Sequence, residues 1–151
     1  MISKLKIKDY KTAKSVLDLQ LASYPIEAKL INFYDIPPLK DTVEKIANCN
    51  ETFIGYYIDQ TLTGILSYKI IDQAVDIHRV CVHPHYFRRG IGEKLITYVE
   101  AQNGHVNKII VSTGKANLPA IKLYEKNGFI KMRDIQVAEN FYITELEKNL
   151  K

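Results

Sequence analysis

The chain has 151 residues, 46% of them hydrophobic, and a formal net charge of +4 at pH 7. This size and composition predict one globular domain, residues 1–151, with a core large enough to fold unaided. The mild basic charge favours anionic ligands but falls short of the charge density typical of a nucleic-acid-binding module. Only Cys49 and Cys81 are present, without paired spacing, which excludes a disulfide framework and a zinc ribbon.

No stretch of the sequence has the pattern of a targeting or membrane segment. The start, "MISKLKIKDY", lacks the apolar run of a signal peptide, and no apolar run approaches the ~18 residues that span a bilayer. We therefore expect a cytoplasmic protein that binds neither membrane nor nucleic acid.

The first third of the chain predicts a short strand, two helices and an irregular segment between them. Asp9 follows an alternating strand and is placed to cap a helix with one apolar face. Pro25 and two later prolines are expected to break "YPIEAKLINFYDIPPLK" into loops and short helical pieces, which could cover a substrate. A second helix is expected from Asp41 through Ala47.

The rest of the chain predicts a sheet with one parallel pair of strands. Three strands joined by short turns, "TFIGYYID", "LTGILSYKII" and "AVDIHRVCVHP", indicate an antiparallel meander. A helix from Gly90, a strand "NKIIVST", a helix from Asn117 to about Asn127, and strands "FIKMRDIQV" and "FYITELEK" follow. The strand, helix, strand order in the middle predicts the parallel pair. The expected fold class is α/β: a twisted, mixed, mostly antiparallel sheet flanked by about four helices.

The segment "FRRGIGEKLI" indicates an anion site at the start of a helix. Gly90 and Gly92 remove side chains where the chain enters the helix, so that backbone N–H groups can approach a ligand closely. A helix N-terminus also offers unpaired donors and partial positive charge. The third glycine of a dinucleotide fingerprint and the Gly-Lys-Ser/Thr of a nucleotide phosphate loop are both absent.

Two segments, "VCVHPHYFRRGIGEKLI" and "TGKANLPAIKLYEKNGF", resemble the signature segments of the GNAT family of acyl-CoA-dependent N-acyltransferases. In that family the first segment ends a strand, turns through a pyrophosphate-binding loop of form [Q/R]-x-x-G-x-[G/A], and enters a helix. The second carries N-x-x-A-x-x-L-Y-x-x-x-G-F, which is matched here by Asn117, Ala120, Leu123, Tyr124, Gly128 and Phe129. The chain departs from the loop pattern at its first position, where Phe87 stands and Arg88 follows.

The resemblance implies acetyl-CoA as the acyl donor. Its pyrophosphate would lie on main-chain N–H groups of Arg88, Arg89, Gly90, Ile91, Gly92 and Glu93. The two arginine side chains would add screened attraction to the phosphates. The pantetheine arm would pair like an extra strand with Val80, Cys81 and Val82. Asn117 would cap the last helix, contact the pantetheine, or do both.

The resemblance also implies an amine acceptor, and an alkyl ammonium with pKa ≈ 10.4 must lose a proton at a cost of about 4.6 kcal/mol at pH 7. Asp76 stands where some family members place a glutamate base, and His78 lies two residues on, on the same strand face. Both are candidate bases, directly or through water; a turn role for Asp76 and a hydrogen-bonded structural imidazole for His78 are the alternatives. Ser112, where other members carry a glutamate, cannot be the base.

Tyr124 is the candidate acid for the departing coenzyme thiolate. A phenol with pKa ≈ 10 is close enough to a thiol near 8.5 to donate a proton or a hydrogen bond to it. Packing alone is the alternative role for this tyrosine.

Cys81, His83 and His85 raise the question of a metal site. Alternation would place the three side chains on one strand face, but the intervening proline bends the path and no second ligand cluster completes a site. No metal is therefore expected.

The sequence therefore predicts an N-acetyltransferase that moves an acetyl group from acetyl-CoA to a primary amine by direct attack. A non-catalytic acyl-CoA sensor of the same fold is the alternative, and a homodimer is left open. The acceptor pocket is expected between "ASYPIEAKLINFYDIPP" and "VAENFYITEL", where Glu27, Asp35 and Glu139 suit a cationic amine. The acceptor itself stays open among a polyamine, an amino sugar, an amino acid and a protein N-terminus.

Overall fold

A computed structural model describes residues 1–151, with seven strands in one sheet. The strands are β1 Ile2–Lys4, β2 Thr52–Ile58, β3 Thr61–Ile71, β4 Ala74–Val82, β5 Lys108–Gly114, β6 Ile130–Ala138 and β7 Phe141–Asn149. The α-helices are α1 Tyr10–Ile31, α2 Val43–Ala47, α3 Ile91–Gln102 and α4 Leu118–Lys126. The mixed α/β fold expected from the sequence is confirmed. None of these helices combines the length and the apolar character that crossing a bilayer requires.

The strand order is β1-β2-β3-β4-β5-β7-β6, and only β4 and β5 run parallel. Their pairing is short, because it extends only from Ala74 opposite Lys108 to Ile77 opposite Val111. Beyond this point β4 stays paired with β3 to its end at Val82, while β5 stays paired with β7. The sheet is therefore split between β4 and β5 at the carboxyl ends of these two strands.

A β-bulge lies at the point where β4 leaves β5. Ser67 of β3 lies opposite Arg79, but the next residue of β3 lies opposite Ile77, so that His78 is the extra residue. A bulge bends the strand and sharpens its twist. It also places His78 and Arg79 on the same side of the sheet, where both contact the carboxylate of Glu51.

Helix α1 is longer than the sequence predicts, because it continues through Pro25 for its last two turns. The expected break at this proline is wrong. A proline inside a helix costs about 3 kcal/mol through the lost hydrogen bond and its clash with the preceding turn. Tyr24, Ala28 and Ile31 are nevertheless all buried against the sheet, and burying a large apolar side chain contributes about 1.5–3 kcal/mol. Packing thus offsets the local cost and keeps Glu27 on a helix.

The helix starts follow from side-chain caps. Asp9 accepts a hydrogen bond from Lys11 N at 3.2 Å before α1, as expected. The second helix begins at Val43 rather than at Asp41, because Thr42 Oγ1 is the group that caps it. Asn117 Oδ1 caps α4. Helix α3 is the exception, because it has no side-chain cap at its N-terminus.

The core has two layers, one on each face of the sheet. Neighbouring residues of β3 enter opposite layers, Ile65 with α1 and α2, and Leu66 with α3 and α4, as the two-residue period of a strand requires. Each layer is anchored by fully buried side chains, among them Val16, Ile46 and Phe53 on one face and Val75, Leu95 and Ile109 on the other.

Candidate active site

A cleft of ≈ 1010 Å³ occupies the split between β4 and β5. Its walls come from α1, the segment that follows α1, the second half of β4, the loop before α3, α4, and the turn between β6 and β7. The floor is largely apolar, with main-chain groups and a small number of polar side chains exposed in it. A crevice of this size and character is typical of a small-molecule or cofactor site.

The second half of β4 offers an unpaired strand edge to this cleft. His83 N donates to Thr63 O of β3 at 2.8 Å, and successive residues of a strand alternate the side on which their main-chain groups pair. The main-chain groups of Cys81 thus face β3, whereas those of Val80 and Val82 face the gap, where β5 no longer pairs. The edge can accept one more extended segment.

The loop before α3 presents six consecutive main-chain N–H groups that have no partner within the protein. Phe87 N donates to Pro84 O at 3.3 Å and Lys94 N donates to Gly90 O at 3.0 Å, but no amide of residues 88–93 donates to another group of the chain. Gly90 enters α3 with φ of 75°, a left-handed conformation that glycine adopts without strain. Together with the helix dipole, these donors form an anion-binding loop.

The predicted loop side chains divide into two groups. Arg88, Gly90, Ile91 and Gly92 line the cleft, as do Val80, Cys81 and Val82 of β4. The guanidinium of Arg89 instead lies 5.0 Å from the centroid of the Tyr86 ring. The carboxylate of Glu93 forms an ion pair with Lys126 at 3.4 Å. The main-chain N–H groups of Arg89 and Glu93 belong to the loop, but their side chains point elsewhere.

Tyr124 projects from α4 into the cleft. Its residue is only 4% exposed, and its ring packs against Phe129 with the ring centroids 5.6 Å apart. Burial, with a smaller contribution from the negative charge of Glu27, raises the pKa of the Tyr124 phenol, so the hydroxyl stays protonated at neutral pH. The side chain is therefore both packed and available as a hydrogen-bond donor.

Asp76 and His78 lie on one face of β4, as expected, with Asp76 Oδ2 at 3.5 Å from His78 Nε2. His78 lines the cleft and its other ring nitrogen, Nδ1, lies 3.6 Å from Glu51 Oε2. Asp76 does not line the cleft and reaches it only through His78. Ser112 lines the cleft from β5.

Glu27 is the cleft residue whose contacts sequence reasoning missed, since it was predicted only as a charge in the acceptor pocket. Asn117 Nδ2 donates to Glu27 Oε1 at 2.8 Å and also contacts Thr113 Oγ1 at 3.3 Å. Burial raises the pKa of the Glu27 carboxyl, against the opposing effect of the Asn117 hydrogen bond. The sequence feature that could have indicated these contacts is the helical spacing of Tyr24, Glu27 and Ile31. The three residues lie on one face only if α1 continues through Pro25.

Asn117 uses its side chain within the protein. Its amide oxygen caps α4, and its amide nitrogen is bonded to Glu27 and Thr113. The residue therefore fixes the position of the carboxylate relative to α4. Of the other acidic residues expected near the acceptor, Asp35 lines the cleft and Glu139 does not.

Cys81, His83 and His85 do not come together as one set of metal ligands, although the ring centroids of His83 and His85 lie 4.8 Å apart. Cys81 is buried in the cleft wall, where desolvation raises the pKa of its thiol. His83 Nδ1 accepts a hydrogen bond from His85 N at 3.1 Å and so stabilises the turn before the loop. The structure contains no cluster of three or more histidine, cysteine, aspartate or glutamate residues arranged to hold a metal ion.

Comparison with known protein families shows to which family this cleft and fold belong. The sequence model of the Acetyltransferase (GNAT) family matches residues 13–129, which include most of α1, the split strands β4 and β5, the loop before α3, and α4. The chain belongs to the GNAT acetyltransferase family. The family resemblance of the two signature segments is thereby confirmed, and the split sheet is this GNAT protein's version of the expected fold.

The proteins similar to this GNAT chain include the following two relatives and one solved structure. UPF0157 protein YqkA of Bacillus subtilis is 35% identical over 144 residues, which are 95% of this chain and 42% of that protein. Spermidine N(1)-acetyltransferase of Thermoplasma acidophilum is 30% identical over 95 residues, 60% of this chain and 58% of that enzyme. The chain thus spans about half the length of these relatives. The PaiA N-acetyltransferase of Thermoplasma acidophilum, solved in complex with coenzyme A, has the same fold with a TM-score of 0.78 at 22% identity, covering 99% of this chain and 98% of that one.

Proposed function

We propose that this protein is an N-acetyltransferase that transfers the acetyl group of acetyl-CoA directly to a primary amine. The observation that carries the proposal is the open edge of β4, which connects the free N–H groups of residues 88–93 with the hydroxyl of Tyr124 in one cleft. The loop suits the phosphate end of an extended acyl thioester, and the strand edge suits the arm that leads to its thioester end. The coenzyme A bound by a protein of the same fold supports this assignment.

The coenzyme's pyrophosphate is proposed to accept hydrogen bonds from the six loop amides, with Arg88 adding attraction from the cleft wall. Its pantetheine arm is proposed to pair with the main chain of Val80 and Val82. The change from Gln or Arg to Phe87 leaves this binding intact, because the donors are backbone groups. The thioester then lies near Tyr124.

The reaction joins the amine nitrogen to the thioester carbonyl carbon and breaks the bond between that carbon and sulfur. Tyr124 donates a hydrogen bond or its proton to the thiolate as it leaves, and coenzyme A departs as the thiol. The acceptor must first lose one proton from its ammonium form. One proton is released overall, and His78, with Asp76 behind it at 3.5 Å, is proposed as the route by which that proton reaches solvent.

The proposal is tested by two measurements on the purified protein. Calorimetry should detect acetyl-CoA binding, and a thiol assay should detect coenzyme A release that depends on an added amine. Absence of acetyl-CoA binding would overturn the proposal. Binding without transfer to any amine across a broad panel would instead identify a non-catalytic acyl-CoA sensor.

A further inference from the structure

We propose that the acceptor end of the cleft takes a monoamine with an apolar body, and that the carboxylate of Glu27 receives its ammonium group and removes its proton. This inference rests on the proposed acetyl transfer and adds to it the class of acceptor and the first proton acceptor. It is carried by the distribution of charge in the cleft and by the contacts of Glu27.

The acceptor end is apolar. It lies between α1 with its following segment and the turn that joins β6 to β7. The side chains that form it are Ile26, Leu30, Phe33, Ile36, Val137 and Phe141. The rings of Phe33 and Phe141 stack in parallel, with centroids 4.0 Å apart, and join its two walls. A hydrocarbon or aromatic body gains free energy by leaving water for such a surface.

Only two carboxylates line the whole cleft, Glu27 and Asp35. Asp35 forms an ion pair with Lys40. The cationic side chain of Arg79 is likewise satisfied, since it lies 3.5 Å from Asp41 and 3.6 Å from Glu51. Glu27 is therefore the one lining carboxylate without a cationic partner. One ammonium group can be paired here, and a second or third would be desolvated without compensation.

The contacts of Glu27 suit a base. Asn117 Nδ2 holds Oε1 at 2.8 Å, which leaves Oε2 free to accept a proton. The titratable groups that face the carboxylate are Tyr24 of its own helix, Cys81 of β4 and Tyr124 of α4. Burial raises the pKa of Glu27 and also keeps both phenols and the thiol protonated, so the carboxylate is the basic member of this group at neutral pH.

The proton transfer balances without a further reactant. The acceptor ammonium gives one proton to Glu27 Oε2 and becomes a neutral amine, whose lone pair attacks the thioester carbonyl. The attacking nitrogen then loses its second proton to solvent by way of His78 as the amide forms, and the leaving thiolate takes one from Tyr124. Release of the amide and the thiol leaves Glu27 protonated and Tyr124 short of one proton, so that transfer from Glu27 to Tyr124, directly or through water, restores both.

Acceptor class is tested with hexylamine and 1,6-diaminohexane, which share one carbon chain and differ by a single ammonium group. Hexylamine should have the higher kcat/KM by about 10-fold or more, since only the diamine must bury an unpaired charge. Spermidine, the substrate named for one relative, should be poorer still. Equal or better use of the diamine or of spermidine would overturn the assigned class while leaving acetyl transfer itself established.

The role of Glu27 is tested with Glu27→Gln, whose amide oxygen can still accept the hydrogen bond of Asn117. Its kcat/KM for hexylamine should fall about 10²-fold to 10⁴-fold near neutral pH, with unchanged acetyl-CoA affinity by calorimetry. The deficit should narrow as the pH approaches the amine's own pKa, because the acceptor then arrives already neutral. Glu125→Gln, a matched change at an exposed position of α4, should behave as wild type.

Three outcomes of this second test would overturn the base assignment. One is a Glu27→Gln protein with wild-type kcat/KM, and another is a deficit that stays constant with pH, which a merely structural role would give. The third is a deficit accompanied by loss of acetyl-CoA affinity. If the wild-type protein fails to bind acetyl-CoA at all, the proposed function fails first and this inference fails with it.

Discussion

At the scale of single residues, burial acts on two groups of the cleft in the same direction and with different consequences. It raises the pKa of Tyr124 and that of Glu27. For the phenol this keeps the hydroxyl protonated, as its proposed role as donor to a departing thiolate requires. For the carboxyl it produces a stronger base than an exposed glutamate provides. Asn117 links the two, because it bonds to Glu27 while capping the helix that carries Tyr124.

Replacing Tyr124 by phenylalanine should lower kcat about 10²-fold to 10⁴-fold, because it deletes the hydroxyl that is proposed to donate to the leaving group. The ring contact with Phe129 is retained, so acetyl-CoA affinity and Tm should change little. Steady-state kinetics, calorimetry and thermal melting measure the three quantities. Tyr10→Phe, at an exposed position, is the matched control. Full turnover by a folded Tyr124→Phe enzyme would remove this residue from the mechanism.

Gly92→Asp should weaken acetyl-CoA binding by about 100-fold or more, because it places a carboxylate among the N–H groups of the anion-binding loop. A side chain here also meets Leu123 Cδ2 at 3.1 Å from the new Cβ. Gly104→Asp, where a Cβ has open space, controls for the added charge. Calorimetry on the folded variants measures their acetyl-CoA affinities. Wild-type affinity in Gly92→Asp would contradict the assignment of the loop.

At the scale of elements, the sequence predicted most of the fold because each strand and helix carries its own pattern. Alternation identified the meander, and the strand, helix, strand order identified the parallel pair. The continuation of α1 through Pro25 was not predictable in this way, since it depends on packing by Tyr24 and Ile31 against a sheet formed much later in the chain. Because this continuation was overlooked, the contact between Glu27 and Asn117 was not predicted.

The bulge at His78 could not be predicted from the local sequence pattern either. The residue reads as an ordinary member of an alternating strand, and only the register with β3 shows that it is extra. Sequence reasoning therefore placed Asp76 and His78 on one face but could not tell which of them reaches the cleft. Which side chain of β4 reaches the cleft depends on where β4 and β5 separate, and this is determined by tertiary structure rather than by the local sequence.

Pro25→Ala should stabilise the protein by about 1–3 kcal/mol, because it restores a hydrogen-bond donor and removes a clash inside α1. Pro25 is exposed, so no core contact is lost. Urea denaturation measures the change. Pro119→Ala should have little effect, since the first turn of α4 has no intrahelical bond for that N–H to make. An unchanged or lower stability in Pro25→Ala would contradict the assignment of a local cost to this proline.

At the scale of the whole molecule, the partly buried carboxyl of Glu27 couples folding to pH. Its pKa is raised in the folded protein, so the folded state binds this proton more tightly than the unfolded state does. The free energy of unfolding should therefore decrease as pH rises from about 4.5 to the pKa of Glu27 in the folded protein. Above that pKa, the titration of Glu27 should change the free energy of unfolding no further.

Urea titrations of wild type and Glu27→Gln over this acidic range test the coupling. The variant lacks the group, so its stability relative to wild type should increase as pH rises. Glu125→Gln provides the comparison, because that side chain is exposed on α4. A difference between Glu27→Gln and wild type that does not vary with pH would exclude the coupling.

The split between β4 and β5 means that the free protein contains an incomplete sheet. The amides of Val80 and Val82 face the gap, whereas that of Cys81 is engaged with β3, so adjacent residues of one strand should exchange their amide hydrogens with solvent at very different rates. A pantetheine arm paired along this edge would slow exchange at Val80 and Val82 and leave Cys81 nearly unaffected. Residue-resolved exchange would thus record the coenzyme as the strand that the polypeptide itself does not supply.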